Sequence, residues 1–371
     1  MSDNLKENQP IIEELNGVAF LAFPEMQGML KSELSNRLGF DSKPTAVYGD
    51  LLYYEDYPKD GIIPYWCKSA MLNPKRMTFS SIGTAAKELK SIQRNWAPYQ
   101  YQFFRRATLI QEKLPYINLK VRKFPVKIPN SEIGMYTLIS ENQMIFSDKT
   151  SSFLPAGNIT FEEDHENPPS RAYLKIQESL TMANLFNGTE LPSSGQRCFE
   201  AGACPGGWTW VLVGLGAEVY AVDRAELAPE LMKNPLVTFQ AHDAFTLKPE
   251  DIGYCDWVFS DVICYPERLY EWILKWLDSG LVKNMICTIK MQGETDWDVI
   301  QKFADIPNSR VIHLNYNKHE LTWVHTRRIW GRENPSTQKR GFSLPQAPSL
   351  TPALLWGNLP LRTPVGVSRK K

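Results

Sequence analysis

The second half of the chain alternates short apolar runs with longer stretches that place apolar residues at helical spacing. Apolar runs of this length predict buried strands, and apolar residues three and four positions apart predict helices. The predicted strands are residues 197–203, 218–223, 237–241, 256–262, 285–291, 310–314 and 321–326, and the predicted helices are residues 171–186, 207–215, 225–232, 266–277 and 297–304. Repeated strand–helix units predict an α/β fold with a doubly wound, mostly parallel sheet of seven strands. The last two strands follow each other closely, which indicates an antiparallel pair at one edge.

The first half shows fewer and less regular elements. An apolar run at 17–23 predicts a buried strand, and apolar residues at helical spacing follow over 26–37. Further strands are predicted near 45–54 and 116–126, with a helix near 81–95. We therefore expect four parts: a disordered start (1–15), an α+β domain (16–155), the α/β domain (156–334) and a basic, proline-rich tail (335–371).

Composition narrows the class of protein. Of 371 residues, 43% are hydrophobic, and 41 basic side chains balance 41 acidic ones, which is typical of a globular protein. No apolar run reaches the roughly 18 residues of a membrane helix, and the polar start has no apolar core of a secretory signal. Six cysteines without a CxxC pair indicate reduced thiols and no metal site. We expect a cytoplasmic monomer that does not bind membranes.

The zero net charge conceals an uneven distribution. Residues 65–127 carry 13 basic and only 2 acidic side chains, with aromatic residues interleaved. Cations neutralise phosphates and aromatic faces stack on unpaired bases, so this segment predicts an RNA-binding surface. The alternative is a solvated basic face whose aromatic residues belong to the core. The tail at 335–371 has six basic and no acidic residues, and it is either an additional phosphate-binding arm or a plain solvated end.

A glycine-rich turn follows the first strand of the predicted α/β domain. Its sequence is EAGACPGGW over residues 200–208, where a dinucleotide-binding enzyme would have GxGxxG. Pro205 with Gly206 and Gly207 predicts a tight turn that leaves little room for a pyrophosphate. Asp223 ends the second strand, where a carboxylate can accept both hydroxyls of an adenosine ribose. The turn and these acids favour an S-adenosylmethionine pocket, with candidate binding residues Glu200, Gly202, Cys204, Pro205, Gly206, Gly207, Trp208, Asp223, Asp243 and Asp261.

Two lysines and two carboxylates are placed at or near the carboxyl ends of the predicted strands, or on the helix that leads into the sheet. They are Lys175, Asp261, Lys290 and Glu320. Ligands of open α/β sheets bind at that edge. We therefore expect these four residues to form the catalytic group, although a buried salt-bridge network that supports the sheet is the structural alternative.

This set of residues resembles the Lys-Asp-Lys-Glu tetrad of the FtsJ-like family of RNA ribose 2′-O-methyltransferases. The surrounding sequence is also similar: SRA with a lysine before the glycine turn, GACPGGW within it, and SD after the fourth strand. The resemblance covers about residues 160–330 and implies a Rossmann-like class I methyltransferase fold with S-adenosylmethionine as cofactor. GACPGGWT and VHTRRIW resemble bacterial enzymes that methylate a cytidine of large-subunit (23S) ribosomal RNA. Their THUMP-type RNA-binding domain would account for residues 16–155. Glu200 departs from the family, which usually has an aspartate there.

The resemblance, together with simple acid–base chemistry, assigns a role to each residue. A ribose hydroxyl is a weak nucleophile, so a group must take or share its proton. We expect Lys290 to do so, helped by partial burial and by a second cation, Lys175, which lower the pKa of a lysine. Asp261 would hold Lys290 and the sulfonium side of the cofactor, and Glu320 would orient Lys175 or the ribose.

Three other functions were compared with this prediction. A ribose methyltransferase acting on transfer RNA or another RNA fits the same site residues. A non-catalytic RNA-binding factor for ribosome assembly fits the fold, but it would not need two lysines and two acids. A nicotinamide-dependent oxidoreductase would need GxGxxG, which the turn lacks.

Overall fold

The computed structural model describes residues 9–327 of the chain. These residues form three sheets and the helices that surround them. The predicted tail at 335–371, and residues 1–8 of the predicted disordered start, lie outside the described residues. The predicted domain boundary near residue 155 stays a prediction.

Two sheets are built from the first half of the chain. The elements are β1 (Ile11–Glu14), β2 (Val18–Ala22), α1 (Gln27–Asn36), β3 (Ala46–Tyr48), β4 (Leu51–Tyr54), β5 (Cys67–Met71), β6 (Lys75–Thr78), α2 (Ile82–Ile92), β7 (Trp96–Pro98), α3 (Phe104–Glu112), β8 (Gly134–Leu138) and β9 (Gln143–Ser147). A five-stranded sheet has the order β1-β6-β9-β8-β7, and a four-stranded sheet has the order β3-β4-β2-β5. This part of the chain is therefore α+β, as predicted.

Two predictions for the first half are wrong. Residues 11–14 were expected to be disordered, but they form β1, which pairs antiparallel with β6. Glu14 lies 2.9 Å from Lys75 on that neighbour, so cross-strand charge pairing adds to the backbone hydrogen bonds. The strand predicted near 116–126 is an irregular segment with a single bridge, between Arg122 and Phe161.

The second half of the chain forms a seven-stranded sheet with helices. Its elements are α4 (Tyr173–Asn187), β10 (Arg197–Ala201), α5 (Gly207–Gly214), β11 (Glu218–Asp223), α6 (Pro229–Met232), β12 (Val237–Ala241), α7 (Pro249–Ile252), β13 (Cys255–Ser260), α8 (Pro266–Ser279), β14 (Val282–Lys290), α9 (Trp297–Asp305), β15 (Ser309–Ile312) and β16 (Glu320–Thr326).

The order of this sheet is β12-β11-β10-β13-β14-β16-β15. The first five strands in that order are mutually parallel, and β16 is antiparallel to both β14 and β15. The predicted doubly wound, mostly parallel sheet with a terminal antiparallel pair is confirmed. The strand order changes direction beside β10, and ligands of open α/β sheets bind at such a point.

A hydrophobic core joins the two halves. One cluster of buried apolar residues extends from Phe20 and Trp66 in the first half to Trp272 and Trp323 in the second. Trp66 also contacts His313, with ring centroids 4.5 Å apart, in the loop between β15 and β16. The first half therefore packs directly on the loop that leads into β16. Within residues 9–327, no helix is both long and apolar enough to cross a membrane.

Candidate active site

The four predicted catalytic residues meet at the carboxyl edge of the seven-stranded sheet. Asp261 directly follows β13, Lys290 ends β14, and Glu320 begins β16. Lys290 and Glu320 are direct partners in the antiparallel register, which places the two residues side by side. Lys175 comes from the first turn of α4. Residues up to 145 positions apart in the sequence, at 175 and 320, are therefore neighbours in space.

Their charged atoms form one continuous chain of ion pairs. The Oδ1 atom of Asp261 lies 2.9 Å from Nζ of Lys290 and 3.3 Å from Nζ of Lys175. The same Nζ of Lys175 lies 2.8 Å from Oε1 of Glu320. Cations and anions therefore alternate in the order Lys290, Asp261, Lys175, Glu320, and Asp261 is shared between the two lysines.

The two lysines differ in exposure and in surroundings. The Lys175 side chain is 9% exposed and contacts two carboxylates, whereas the Lys290 side chain is 22% exposed and contacts one. Burial acts to lower the pKa of Lys175, but Asp261 and Glu320 outweigh it and raise that pKa above its ordinary value. Lys175 is consequently a fixed cation at neutral pH, and Lys290 is the lysine that faces solvent more.

Asp261 is held as an anion. Burial acts to raise the pKa of its carboxyl, but the charges of Lys175 and Lys290 outweigh burial and keep that pKa below the usual range. Its backbone N–H also donates to the carbonyl of Ala201 at the end of β10, with 3.3 Å between the two atoms. This contact ties the loop after β13 to the strand that leads into the glycine turn.

The glycine turn lies beside this cluster, between β10 and α5. Gly202 and Gly206 adopt φ values of +78° and +108°, which favour glycine. A Cβ atom at Gly202 would also lie 2.7 Å from Val262, the residue after Asp261. The turn packs this closely on the catalytic edge only because residue 202 has no side chain.

The start of α4 differs slightly from the predicted residue 171. The helix begins at Tyr173 with Ala172 as its N-cap residue, and no side chain caps it. The Oγ atom of Ser170 is buried and has no hydrogen-bond partner among residues 9–327. A Cβ atom at Gly207 would lie 2.4 Å from that oxygen. Ser170 therefore lies against the glycine turn and leaves an unpaired polar atom there.

The predicted cofactor residues fall into two groups by burial. Glu200 and Trp208 are buried, at 2% exposure each. Thr209 donates a hydrogen bond of 2.6 Å to Glu200, and Trp208 packs edge-on against Phe259. Burial raises the pKa of Glu200 to about 8, so this acid is mainly protonated at neutral pH. Both side chains lie beneath the turn and support it from inside.

Asp223 and Asp243 belong to the second group, which is partly exposed at the strand ends. Asp223 ends β11 and accepts a hydrogen bond of 3.0 Å from the backbone N–H of Cys204 in the glycine turn. Asp243 follows β12 and pairs with Arg224 at 2.9 Å and with Arg268 at 3.5 Å. The structure brings both acids to the same edge as Asp261, as the sequence predicted.

One residue of the site was missed by sequence analysis. Glu178 is one turn after Lys175 on α4 and is fully buried. Its two carboxylate oxygens accept hydrogen bonds from the backbone N–H groups of Asn315 and Tyr316, at 2.9 and 3.0 Å. These bonds fix the loop that delivers Glu320 to Lys175. The only signal in the sequence is an acid one turn after Lys175 in a predicted helix.

Comparison with known proteins places the site in a family. The model of the FtsJ-like methyltransferase family matches residues 168–306. The chain therefore contains an FtsJ-like methyltransferase domain. The match includes the glycine turn, Lys175, Asp261 and Lys290, but it ends before Glu320. Glu320 lies 2.8 Å from Lys175, which is within the matched region.

Curated relatives share the same part of the chain. "Ribosomal RNA large subunit methyltransferase M" of Hahella chejuensis is 33% identical over 184 residues, which is 46% of this chain and 46% of that protein. Proteins of the same name from Edwardsiella ictaluri and Xylella fastidiosa are 31% and 36% identical; the matches cover 53% and 42% of this chain, and 54% and 46% of those proteins. The chain spans about half the length of the curated relatives it matches.

Proposed function

We propose that this protein transfers a methyl group from S-adenosylmethionine to a ribose 2′-OH of RNA, and that the target is a cytidine of large-subunit ribosomal RNA. The observation that carries the proposal is the chain of alternating charges from Lys290 to Glu320, set beside a glycine turn at the carboxyl edge of an FtsJ-like domain. The names of the curated relatives support the choice of ribosomal RNA. The structural alternative, a salt-bridge network that only supports the sheet, would not need a partly exposed lysine at its end.

The residues at this edge fit S-adenosylmethionine. The unpaired Oγ of Ser170 lies beside the turn at the start of α5, where a polar group of the cofactor would complete its hydrogen bonding. Asp223 and Asp243 would accept hydrogen bonds from the adenosine, in line with their positions after β11 and β12. Asp261 would face the positive sulfur. When bound, the cofactor supplies an electrophilic methyl group.

Lys290 is proposed to take the proton of the ribose hydroxyl. It stands at the solvent end of the ion-pair chain, where RNA can reach it, and its Nζ is held 2.9 Å from Asp261. The role requires the amine in its neutral form. Proton removal of this kind typically contributes about 10²–10⁴-fold to the rate.

The other three residues are proposed to hold the lysines in position and to stabilise the charge that develops on the ribose oxygen. Lys175, a fixed cation, would stabilise negative charge on the ribose oxygen as the proton leaves. Asp261 holds both lysines at defined distances, and Glu320 fixes Lys175 from the opposite side. Glu178 on α4 holds the loop that leads into β16, and this contact fixes the position of Glu320 relative to Lys175.

RNA is proposed to contact the first half of the chain through residues 65–127. Eight of the thirteen basic side chains in this segment are exposed: Lys87, Lys90, Arg94, Arg105, Lys113, Lys120, Lys123 and Lys127. Exposed cations supply phosphate contacts that do not depend on sequence. We further propose a monomer in the cytoplasm, in keeping with six cysteines that form no disulfide.

The test is methyl transfer from labelled S-adenosylmethionine to size-fractionated RNA from cells that lack the protein. The full chain is compared with Lys290→Ala and with Lys275→Ala, an exposed lysine on α8 that serves as the matched control. Label in large ribosomal RNA is expected with the unaltered protein and the control, and no label with Lys290→Ala. Resistance of the labelled nucleotide to alkaline cleavage then identifies the blocked 2′-OH.

Other outcomes separate the alternatives. Label only in small RNA would retain the chemistry and reject the ribosomal target. No label in any fraction, whether naked RNA or precursor particles, together with tight cofactor binding, would favour the non-catalytic assembly factor. Full activity in Lys290→Ala would reject the proposed base.

A further inference from the structure

A second cavity lies in the first half of the chain and is lined by none of the proposed catalytic residues. It encloses about 470 Å³, and its wall includes Asp50, Lys68, Pro98, Tyr99, Gln100 and Leu119. Pockets for small organic ligands run from roughly 300 to 1,000 Å³. The volume suits a single nucleotide, and the wall combines one cation, one carboxylate, one aromatic ring, one hydroxyl, three side-chain amides and apolar surface.

Lys68 is the unusual group in this wall. Its side chain is half-buried, and Nζ donates to Oδ1 of Asn158 at 2.9 Å. Across residues 9–327, no carboxylate lies within 4.0 Å of that Nζ. Burial lowers the pKa of Lys68, while Glu178 and Asp50 act against burial from a greater distance. A partly buried cation without an ion-pair partner is stabilised by a nearby negative charge, and an anion in the cavity would supply that partner.

The charge of the wall selects among anions. Asp50 also lines the cavity, so Lys68 and Asp50 together carry no net charge. The Oδ1 atom of Asp50 is already hydrogen bonded to Gln27 at 2.8 Å. A terminal phosphate carries a charge of about −1.5 to −2, whereas a phosphodiester carries about −1. The balance of charge therefore favours a phosphodiester within a nucleic acid over a free nucleotide.

The aromatic wall is rigid enough to receive a base. Tyr99 stacks on Tyr101 with centroids 6.1 Å apart and an angle of 14° between the rings. Its hydroxyl accepts a hydrogen bond of 2.6 Å from the backbone N–H of Asp50. A fixed aromatic face stacks on an unpaired base at small entropic cost. The neighbouring Gln100 offers an amide to the base edge.

The segment that contributes Leu119 to the wall of the cavity also suits RNA. Leu119 lines the cavity and is followed by Lys120, which is exposed. Tyr116, three residues earlier, is 76% exposed. A strand of RNA that leaves the cavity would pass a cation and a free aromatic ring.

We propose that this cavity binds one unpaired nucleotide of the RNA, distinct from the nucleotide that is methylated, with the base on Tyr99 and a phosphodiester on Lys68. The proposal builds on the RNA substrate proposed above. It makes this cavity a recognition site that lies in the first half of the chain and helps to select where the RNA binds.

The test measures equilibrium binding of a short single-stranded oligocytidylate to the full chain. All variants carry Lys290→Ala, so that methyl transfer does not disturb the equilibrium. We expect Lys68→Gln to weaken binding about 10-fold and Tyr99→Leu to weaken it about 5-fold or more. Lys31→Gln, an exposed lysine on α1 outside the basic segment, is the matched control and should change binding less than about 2-fold. Equal effects of Lys68→Gln and Lys31→Gln would overturn the proposal.

Two further measurements test the site without relying on the Lys68→Gln variant alone. Should Lys68→Gln lower the melting temperature too far, the rate of Lys68 acetylation is measured in the unaltered chain. Oligocytidylate should slow acetylation of Lys68 more than that of Lys31, and equal rates of change at the two lysines would overturn the site. Cytidine 5′-monophosphate is the competing probe. Binding of this mononucleotide as tight as that of the oligonucleotide, and equally dependent on Lys68, would assign the cavity to a free nucleotide and reject the RNA site.

Methyl transfer is measured separately, with Lys290 present. Lys68-dependent RNA binding without any methyl transfer would reject the proposed function and keep the cavity site. Methyl transfer together with RNA binding that does not depend on Lys68 would reject the cavity site and keep the proposed function.

Discussion

The edge of the sheet that carries the four proposed catalytic residues (the catalytic edge) and the basic segment 65–127 differ in how sequence position relates to position in space. At the edge, four charged residues spread between positions 175 and 320 converge into one chain of ion pairs. In the segment, aromatic residues of one continuous stretch of sequence differ in burial: Trp66 and Trp96 are fully buried, while Tyr116 is 76% exposed. Proximity in sequence therefore did not predict which residues share a surface, whereas position at a strand end did predict which residues meet at the catalytic edge.

The difference has a physical cause. A buried charge needs a partner, so charged residues at the ends of apolar strands are informative about where a site lies. An aromatic ring is stable both in a core and on a surface that binds bases. The sequence therefore could not distinguish base-stacking aromatic residues of segment 65–127 from aromatic residues of the core. In the structure, Trp66, Phe79 and Trp96 belong to the core.

Lys290→Arg offers the sharpest test of the catalytic edge. Arginine preserves the positive charge beside Asp261, but a guanidinium does not give up its proton in proteins. We expect methyl transfer to fall by at least about 10²-fold while the free energy of unfolding stays within about 1 kcal/mol. Single-turnover rates and denaturant unfolding measure the two quantities. Retained activity would show that Lys290 positions the ribose and does not accept its proton.

Lys175→Met should distinguish the role of the buried Lys175 from that of the more exposed Lys290. Removing this buried cation leaves Glu320 without its ion-pair partner and Asp261 with Lys290 alone, and breaking a buried pair typically costs about 3–5 kcal/mol. Despite burial, Lys175 and Lys290 hold the pKa of Asp261 below its usual range in the folded chain, so the loss should be largest above that range and should shrink as pH falls through the folded-state pKa of Asp261. Chemical denaturation across pH measures it. A variant as stable as the unaltered chain would mean that the ion-pair chain contributes nothing to folding.

Trp96→Ala and Tyr116→Ala compare a buried and an exposed aromatic residue of the basic segment. Trp96 is 0% exposed and its indole N–H donates to the carbonyl of Leu89 at 2.8 Å. We expect Trp96→Ala to lower the free energy of unfolding by about 3–5 kcal/mol and Tyr116→Ala to change it by less than about 0.5 kcal/mol. Only Tyr116→Ala should weaken RNA binding in a chain that remains folded. Equal losses of stability in the two variants would contradict the assignment of Trp96 to the core and of Tyr116 to the surface.

Glu200→Gln should have little effect on stability in acid, and its effect should grow as pH rises. The pKa of Glu200 is raised from 4.5 to about 8 in the folded chain. Between these values the unfolded chain releases a proton that the folded chain keeps, so stability falls as pH rises. The stabilisation by the raised pKa is fully present below about pH 4.5 and is lost as pH passes through about 8. Glutamine does not ionise, so the stability of Glu200→Gln relative to the unaltered chain should increase by about 1 kcal/mol or more from acid to pH 8. Thermal melts at several pH values measure this difference, and a difference that does not vary with pH would mean that Glu200 is ionised in the folded chain.

Much of the second half was predictable because its signals are local. Strands β10, β11 and β14 are apolar runs that stand out in the sequence, and the glycine turn follows β10 where expected. Glu178 was not predictable, since its partners Asn315 and Tyr316 lie more than 130 positions away along the chain. β1 was also missed, because a short strand at an edge depends on its neighbour, β6, more than on its own sequence.

By itself, the sequence determined the type and order of the elements in the second half and the positions of charged residues at strand ends, because apolar periodicity and turn residues act over a few positions. The tertiary structure alone decided which charges meet. Parallel pairing of β13 with β14 and antiparallel pairing of β14 with β16 bring Asp261, Lys290 and Glu320 to one edge. Packing of α4 then adds Lys175 and removes its ammonium from water, and only contacts between distant segments can make a buried charge stable.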